Sequence, residues 1–178
     1  MKDMTVSKAL QWLFIAEILM IFKGLGVIGA ILGIVAFVLN LLALYGASKL
    51  DNGYHMAFVL SIVGIVVSIV STFAGNGFFA TLVTIISNVA ALGILYYVVT
   101  TTCKHLDAAG AAEVSGKGQS VWKINLICTI ISVVLSLLMY IPIINVLAAV
   151  VAVIVGIVML VAYILYLIFL WKGHKALT

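Results

Sequence analysis

The stretch Gly24–Ala47, GLGVIGAILGIVAFVLNLLALYGA, decides the fold. At intervals of 3, 4, 3, 4, 3 and 4 residues it places Gly26, Gly29, Gly33, Ala36, Asn40, Ala43 and Ala47 on one face of a helix. The residues around that face are almost all Leu, Ile, Val or Phe, and none is charged. Such a helix rises about 36 Å, more than the roughly 30 Å hydrocarbon core of a bilayer. In lipid, a groove of small residues lets a second helix backbone come close, and Gly29-x-x-x-Gly33 has that small-xxx-small spacing. Asn40 is the one strongly polar side chain in the stretch.

Composition carries the same message over the whole chain. Of 178 residues 66% are hydrophobic and 8% charged, with mean hydropathy +1.41. A soluble domain carries about 25% charged residues. The expected class is therefore an all-α integral membrane protein forming one polytopic domain over residues 1–178. The net charge of +4 comes from lysines that sit at helix ends. They read as orientation signals, and no nucleic-acid partner is expected. Cys103 and Cys128 make no disulfide framework.

Outward from the organising helix, five further spans follow. The N-terminal MKDMTVSKALQWLFIAEILMIFK has a signal-like start, but no small-x-small site follows its apolar run. Its apolar residues wrap nearly all round, which suits a span over 5–22 better than a helix lying in the interface. The polar turn Ser48–His55 ends the 24–47 span. Spans are then predicted at 54–73, 78–102, 121–140 and 143–171. The short turns Ala74–Gly77 and Ile141–Pro142 join two pairs of them, and Cys103–Ser120 is the one sizeable polar connection.

Charge sets the orientation. With six spans, Lys2, Lys8, Lys49, Lys104, Lys117, Lys123, Lys172 and Lys175 share one side, and Lys23 alone takes the other. Leaving out the first span would turn eight against one into six against three. The positive-inside rule therefore predicts six spans, with both termini cytoplasmic, in a plasma or inner membrane. The chain divides into three hairpins, each a shorter helix followed by a longer one. Ile94-Leu95-Tyr96-Tyr97 and Ile164-Leu165-Tyr166-Leu167 are similar text in the second and third, as an internal repeat would produce.

Several spans carry small or polar faces: Ser61, Gly64, Ser68 and Ser71; Thr81, Thr84, Asn88 and Ala91; Asn125, Thr129, Ser132 and Ser136; Asn145, Ala148, Ala152 and Gly156. One reading has them pack together, with Asn, Ser and Thr hydrogen-bonding across helices. The other has some of them line a polar cavity. Asn40, Asn88, Asn125 and Thr129 are then the candidate solute or ion ligands. Glu17 joins them, because an ionisable residue inside a span is costly and points to function. The aromatic residues, Tyr163 and Tyr166 among them, read as an interfacial belt.

Catalytic motifs are absent. Gly110-AAEVS-Gly116-Lys117-Gly118 resembles a phosphate loop, but it has five residues between its glycines and Gly118 where Ser or Thr should stand. His55, His105, His174 and Cys103 have no recognised metal-ligand spacing. No enzyme activity, cofactor or metal is expected.

In size, span count and cytoplasmic termini the chain resembles in outline the small solute-binding membrane subunits of energy-coupling-factor transporters. Ala43-x-x-x-Ala47 echoes the small-residue contact of such subunits. That pattern is common in membrane helices and assigns no family. The expected function is to bind or move a small solute, alone or as the membrane subunit of a transporter. The rival is a scaffold, assembly or immunity-type protein that docks another membrane protein through the groove of Gly26, Gly29, Gly33, Ala36, Ala43 and Ala47.

Overall fold

A computed structural model describes residues 4–73, 75, 77–139, 141 and 145–178, apart from the side chain of Asn145. Among these residues the chain is all helical: α1 (Val6–Ile21), α2 (Gly26–Ala47), α3 (Asn52–Phe73), α4 (Phe78–Ala108), α5 (Ala112–Leu138) and α6 (Asn145–Ala176). A short 3₁₀ turn, Phe22–Gly24, links α1 to α2. Helices α2 to α6 are each long and apolar enough to cross a membrane. At 16 residues, α1 rises about 24 Å and is shorter than the rest. Val27 is 79% and Val146 70% exposed; an apolar surface of this extent belongs against lipid. The chain is a multi-pass membrane protein.

Each helix packs on its chain neighbours, and α6 returns onto α1, so the six form a closed ring. The hairpin partners α1–α2, α3–α4 and α5–α6 pack extensively, whereas α2 and α3 touch least of the adjacent pairs. One end of the ring is solid: Leu13, Leu44, Ala57, Val99, Val121 and Phe169 bring all six helices into one apolar core. These residues lie towards the ends that carry Lys8, Lys49, Lys104 and Lys172. Away from that end, α3 buries nothing beyond Tyr54 and Ala57. The bundle is plugged at its basic end and loose between α2 and α3 beyond it.

Several boundaries move from their sequence-based positions. Helix α3 begins at Asn52, because Asp51 Oδ1 accepts the Gly53 N–H at 2.9 Å and satisfies a free first-turn donor. Gly53 also lets Thr101 of α4 come close, where a Cβ would collide with its side chain. The 24–47 helix starts at Gly26, whose φ of +58° breaks it from the preceding turn.

The largest change is in 103–120, which is mostly helix. Helix α4 continues to Ala108 and α5 starts at Ala112. Between them Gly110, at φ +77°, ends α4. The Ala111 N–H reaches the Leu106 carbonyl at 2.8 Å and the Gly110 N–H reaches Asp107 at 3.1 Å, a Schellman cap. The phosphate-loop spelling is therefore a helix cap followed by helix. Gly118 within it is pressed against Cys103 and Phe169.

The Gly75 and Gly77 φ values of +62° and +128° suit the expected turn there. Lys2, Ala74, Asn76, Tyr140, the Pro142 half of the expected Ile141–Pro142 turn and the side chain of Asn145 lie outside the described residues. The two similar tetrapeptides occupy different surroundings. Tyr96 is on the surface against Trp122, whereas Tyr166 is buried.

Candidate functional site

Above the basic-end plug a partly open cavity of about 860 Å³ lies among the helices. All six helices contribute to its wall: Glu17 from α1, Asn40 from α2, Ser61 and Gly64 from α3, Ala91 from α4, Asn125 from α5, Tyr163 and Tyr166 from α6. Its existence follows from the looseness of the α2–α3 seam. Ring contact between Tyr45 and Phe58 ties those helices together near the basic end. Farther along, Phe37 and Leu41 on one helix and Ile65 and Ile69 on the other line the opening between them.

Glu17 is the centre of the site's polar chemistry. Tyr163 on α6 shares its one hydroxyl proton between the Glu17 backbone carbonyl at 2.7 Å and Glu17 Oε2 at 3.0 Å. Asn40 Nδ2 approaches Oε1 at 3.4 Å, a long contact. Three helices thus converge on one carboxylate within the span region, where a charge needs partners or water. Among the described residues lining this cavity, Glu17 is the single acid, and none is Lys or His.

A second, smaller cavity of about 240 Å³ adjoins the first. Asn88, Asn125, Thr129, Ser132 and Met159 line it, and Asn125, Ala91 and Leu95 belong to both walls. The five sequence-nominated ligands thus fall into two groups joined at Asn125: Glu17 and Asn40 on one side, Asn88 and Thr129 on the other. Asn125 Nδ2 donates to the Val121 carbonyl one turn back at 2.9 Å.

The polar faces rarely reach across helices. Ser61, Ser68 and Ser87 donate to carbonyls of their own helices at 2.9, 2.9 and 3.0 Å. Ser136 does the same at 2.8 Å. Across helices, Ser132 Oγ reaches Met159 Sδ at 3.9 Å, and further hydroxyl bonds stand at the plug. Tyr54 meets Thr102 at 2.8 Å, and Ser7 meets His174 Nδ1 at 2.8 Å and Thr178 at 2.9 Å.

The small-residue face of α2 is occupied from within. A Cβ on Gly29 would lie 2.5 Å from the Phe22 carbonyl oxygen and 2.6 Å from that of Lys23. Gly33 faces the Lys23 Cβ at 3.7 Å. Ala36, Ala43 and Ala47 are fully buried, Ala43 in the main core and Ala47 beside Ala9 and Tyr54. Gly26 alone of the face has open space around it. The groove receives the chain's own α1 and the turn after it.

Sequence reasoning missed Tyr163 and Tyr166, which it placed in an interfacial belt. The signal was depth: Tyr163 stands eight residues inside Trp171, roughly 12 Å along the helix and too deep for a headgroup belt. Tyr54 likewise is buried within the plug. The histidines are dispersed. His174 meets Ser7, while His105 stacks on Tyr54 with its Nε2 3.4 Å from Asp51. Among the described residues no three His, Cys, Asp or Glu side chains group as metal ligands would.

No protein-family model, curated protein or solved structure matches the chain.

Proposed function

We propose that the chain is a six-span, non-enzymatic bundle that binds a small solute in its central cavity. It acts alone or as the membrane subunit of a transporter in a plasma or inner membrane, with both termini cytoplasmic. The observation that carries this reading is the Glu17 carboxylate, held by Tyr163 and Asn40 at the wall of an 860 Å³ cavity. Ligand pockets commonly occupy about 300–1,000 Å³ with mostly apolar walls and a few convergent polar groups. A carboxylate at this depth is a functional group by default. The place of α1 between α2 and α6 in the ring favours its spanning with them. The turn Phe22–Gly24 lengthens it on the side away from the lysine-rich end.

The docking alternative has less support, because α1 and its following turn cover most of the groove it needs. The two readings separate on purification in a mild, neutral detergent followed by mass spectrometry. The solute reading expects a stoichiometric small molecule, with or without an ATP-hydrolysing module. A stoichiometric membrane protein with no small molecule would instead favour docking.

A further inference from the structure

We infer that the solute is a lipophilic organic cation, most simply a protonated amine, an inference that rests on the cavity being a solute site. The first ground is charge. Glu17 is the sole acidic side chain among the described residues of the wall, which include no Lys or His. An anion there would meet a carboxylate with no cation to offset it, whereas an ammonium would form a charge-assisted hydrogen bond.

The second ground is the direction of the donors. The hydroxyls of Ser61, Ser68 and Ser87 donate back to Ala57, Gly64 and Val83. Thr72 donates to Ile69. The Tyr163 hydroxyl is directed to Glu17. These five hydroxyls therefore have their protons committed to protein oxygens, with lone pairs left over. Such a surface suits a ligand that brings donors and suits poorly one that needs them.

The third ground is size and apolarity. A bare metal ion needs several oxygen ligands in a close shell, and this wall offers one carboxylate in 860 Å³. Leu41, Ile65, Ile94 and Leu95 supply apolar surface, and Tyr163 and Tyr166 add aromatic side chains, the type that attracts cations. Met20, Phe37 and Ile69 line the cavity and are themselves exposed. Its mouth is therefore greasy, and a lipophilic ligand enters from the bilayer.

The test uses three probes of one shape: 3,3-diphenylpropylamine, 3,3-diphenylpropan-1-ol and 3,3-diphenylpropanoate. Each is measured by equilibrium dialysis against the purified full chain near pH 7, with the same neutral detergent on both sides. The amine is expected to bind saturably, the alcohol about tenfold or more weaker, and the acid not at all. Glu17→Gln should bring the amine down to the alcohol. Gly64→Phe should remove binding of every probe, because Gly64 borders the cavity with nothing within 4 Å of a built Cβ. Alcohol or acid binding as tightly as the amine, and lost in Gly64→Phe, would overturn the cation assignment and leave the solute site standing. No saturable binding of any probe, or binding that Gly64→Phe leaves intact, would overturn both. The wild-type comparison decides the charge preference even if a variant fails to fold.

Discussion

The Tyr163 hydroxyl meets Glu17 twice, at 2.7 Å from its backbone carbonyl and 3.0 Å from Oε2. This contact joins the last helix to the first, 146 residues apart in the chain. It closes the ring on the cavity side, as Ser7 and His174 close it at the plug. A carboxylate fixed in this way is oriented before any ligand arrives.

Tyr163→Phe keeps the ring and removes the hydroxyl, so it should cost about 1 kcal/mol of stability, the scale of an interhelical hydrogen bond in a membrane. Thermal unfolding in detergent would register it as a lower midpoint. Asn40→Leu breaks only the long 3.4 Å contact and should leave that midpoint closer to wild type. It should nevertheless weaken solute binding, because Asn40 lines the cavity.

Glycines on α2 and α3 should respond in opposite senses. At Gly29 a methyl group would strike the backbone carbonyl oxygens of Phe22 and Lys23, which cannot rotate away as a side chain could. Gly29→Ala should therefore destabilise by about 1–3 kcal/mol. Gly64 has open space, so Gly64→Ala should be neutral or stabilise by up to about 1 kcal/mol through helix propensity. Paired melting curves check both.

The link between the α2–α3 turn and α4 should weaken in acid. The Gly53 N–H, and then Lys104 at 3.0 Å, hold the Asp51 carboxyl below its ordinary value of 3.8. A depressed carboxylate adds stability above its unfolded-state pKa, and that contribution is lost as pH falls through the folded-state value. Asp51→Asn should therefore lower the melting midpoint at pH 7 and lower it less near pH 3, with the difference shrinking further as the pH falls. An equal deficit at both values would assign the effect to shape instead of charge.

The six-span reading predicts that epitope tags at both termini are protected from added protease in intact cells and exposed once the cells are opened. A single cysteine at Gly75 should react with a membrane-impermeant maleimide from outside. Cys103 and Cys128 are buried and should contribute little background. Protection of the C-terminal tag alone would favour five spans.

Much of the helical fold was legible because membrane helices are written in long apolar runs. Asn40 and Glu17 were legible as polar exceptions within them. Boundaries were harder: Gly110 reads as a loop residue, yet it caps one helix just before the next begins, and Ala112–Ser120 is polar only because it extends beyond the apolar run. The role of the α2 face was ambiguous for a different reason. A stripe of small residues says that something packs closely but not what, and here the turn after α1 does so at Gly29. Tyr163 was missed because its partner lies in another helix 146 residues away, and no local pattern records such a pairing.

The most direct measurement compares native mass spectra of the wild-type chain, Gly64→Ala and Gly64→Phe, each purified from cells in the same mild detergent. One small molecule bound per chain is expected in the wild type and in Gly64→Ala, and none in Gly64→Phe, with all three equally well folded. A folded Gly64→Phe that keeps the same bound molecule, or a wild type that carries none, would contradict a solute site in this cavity.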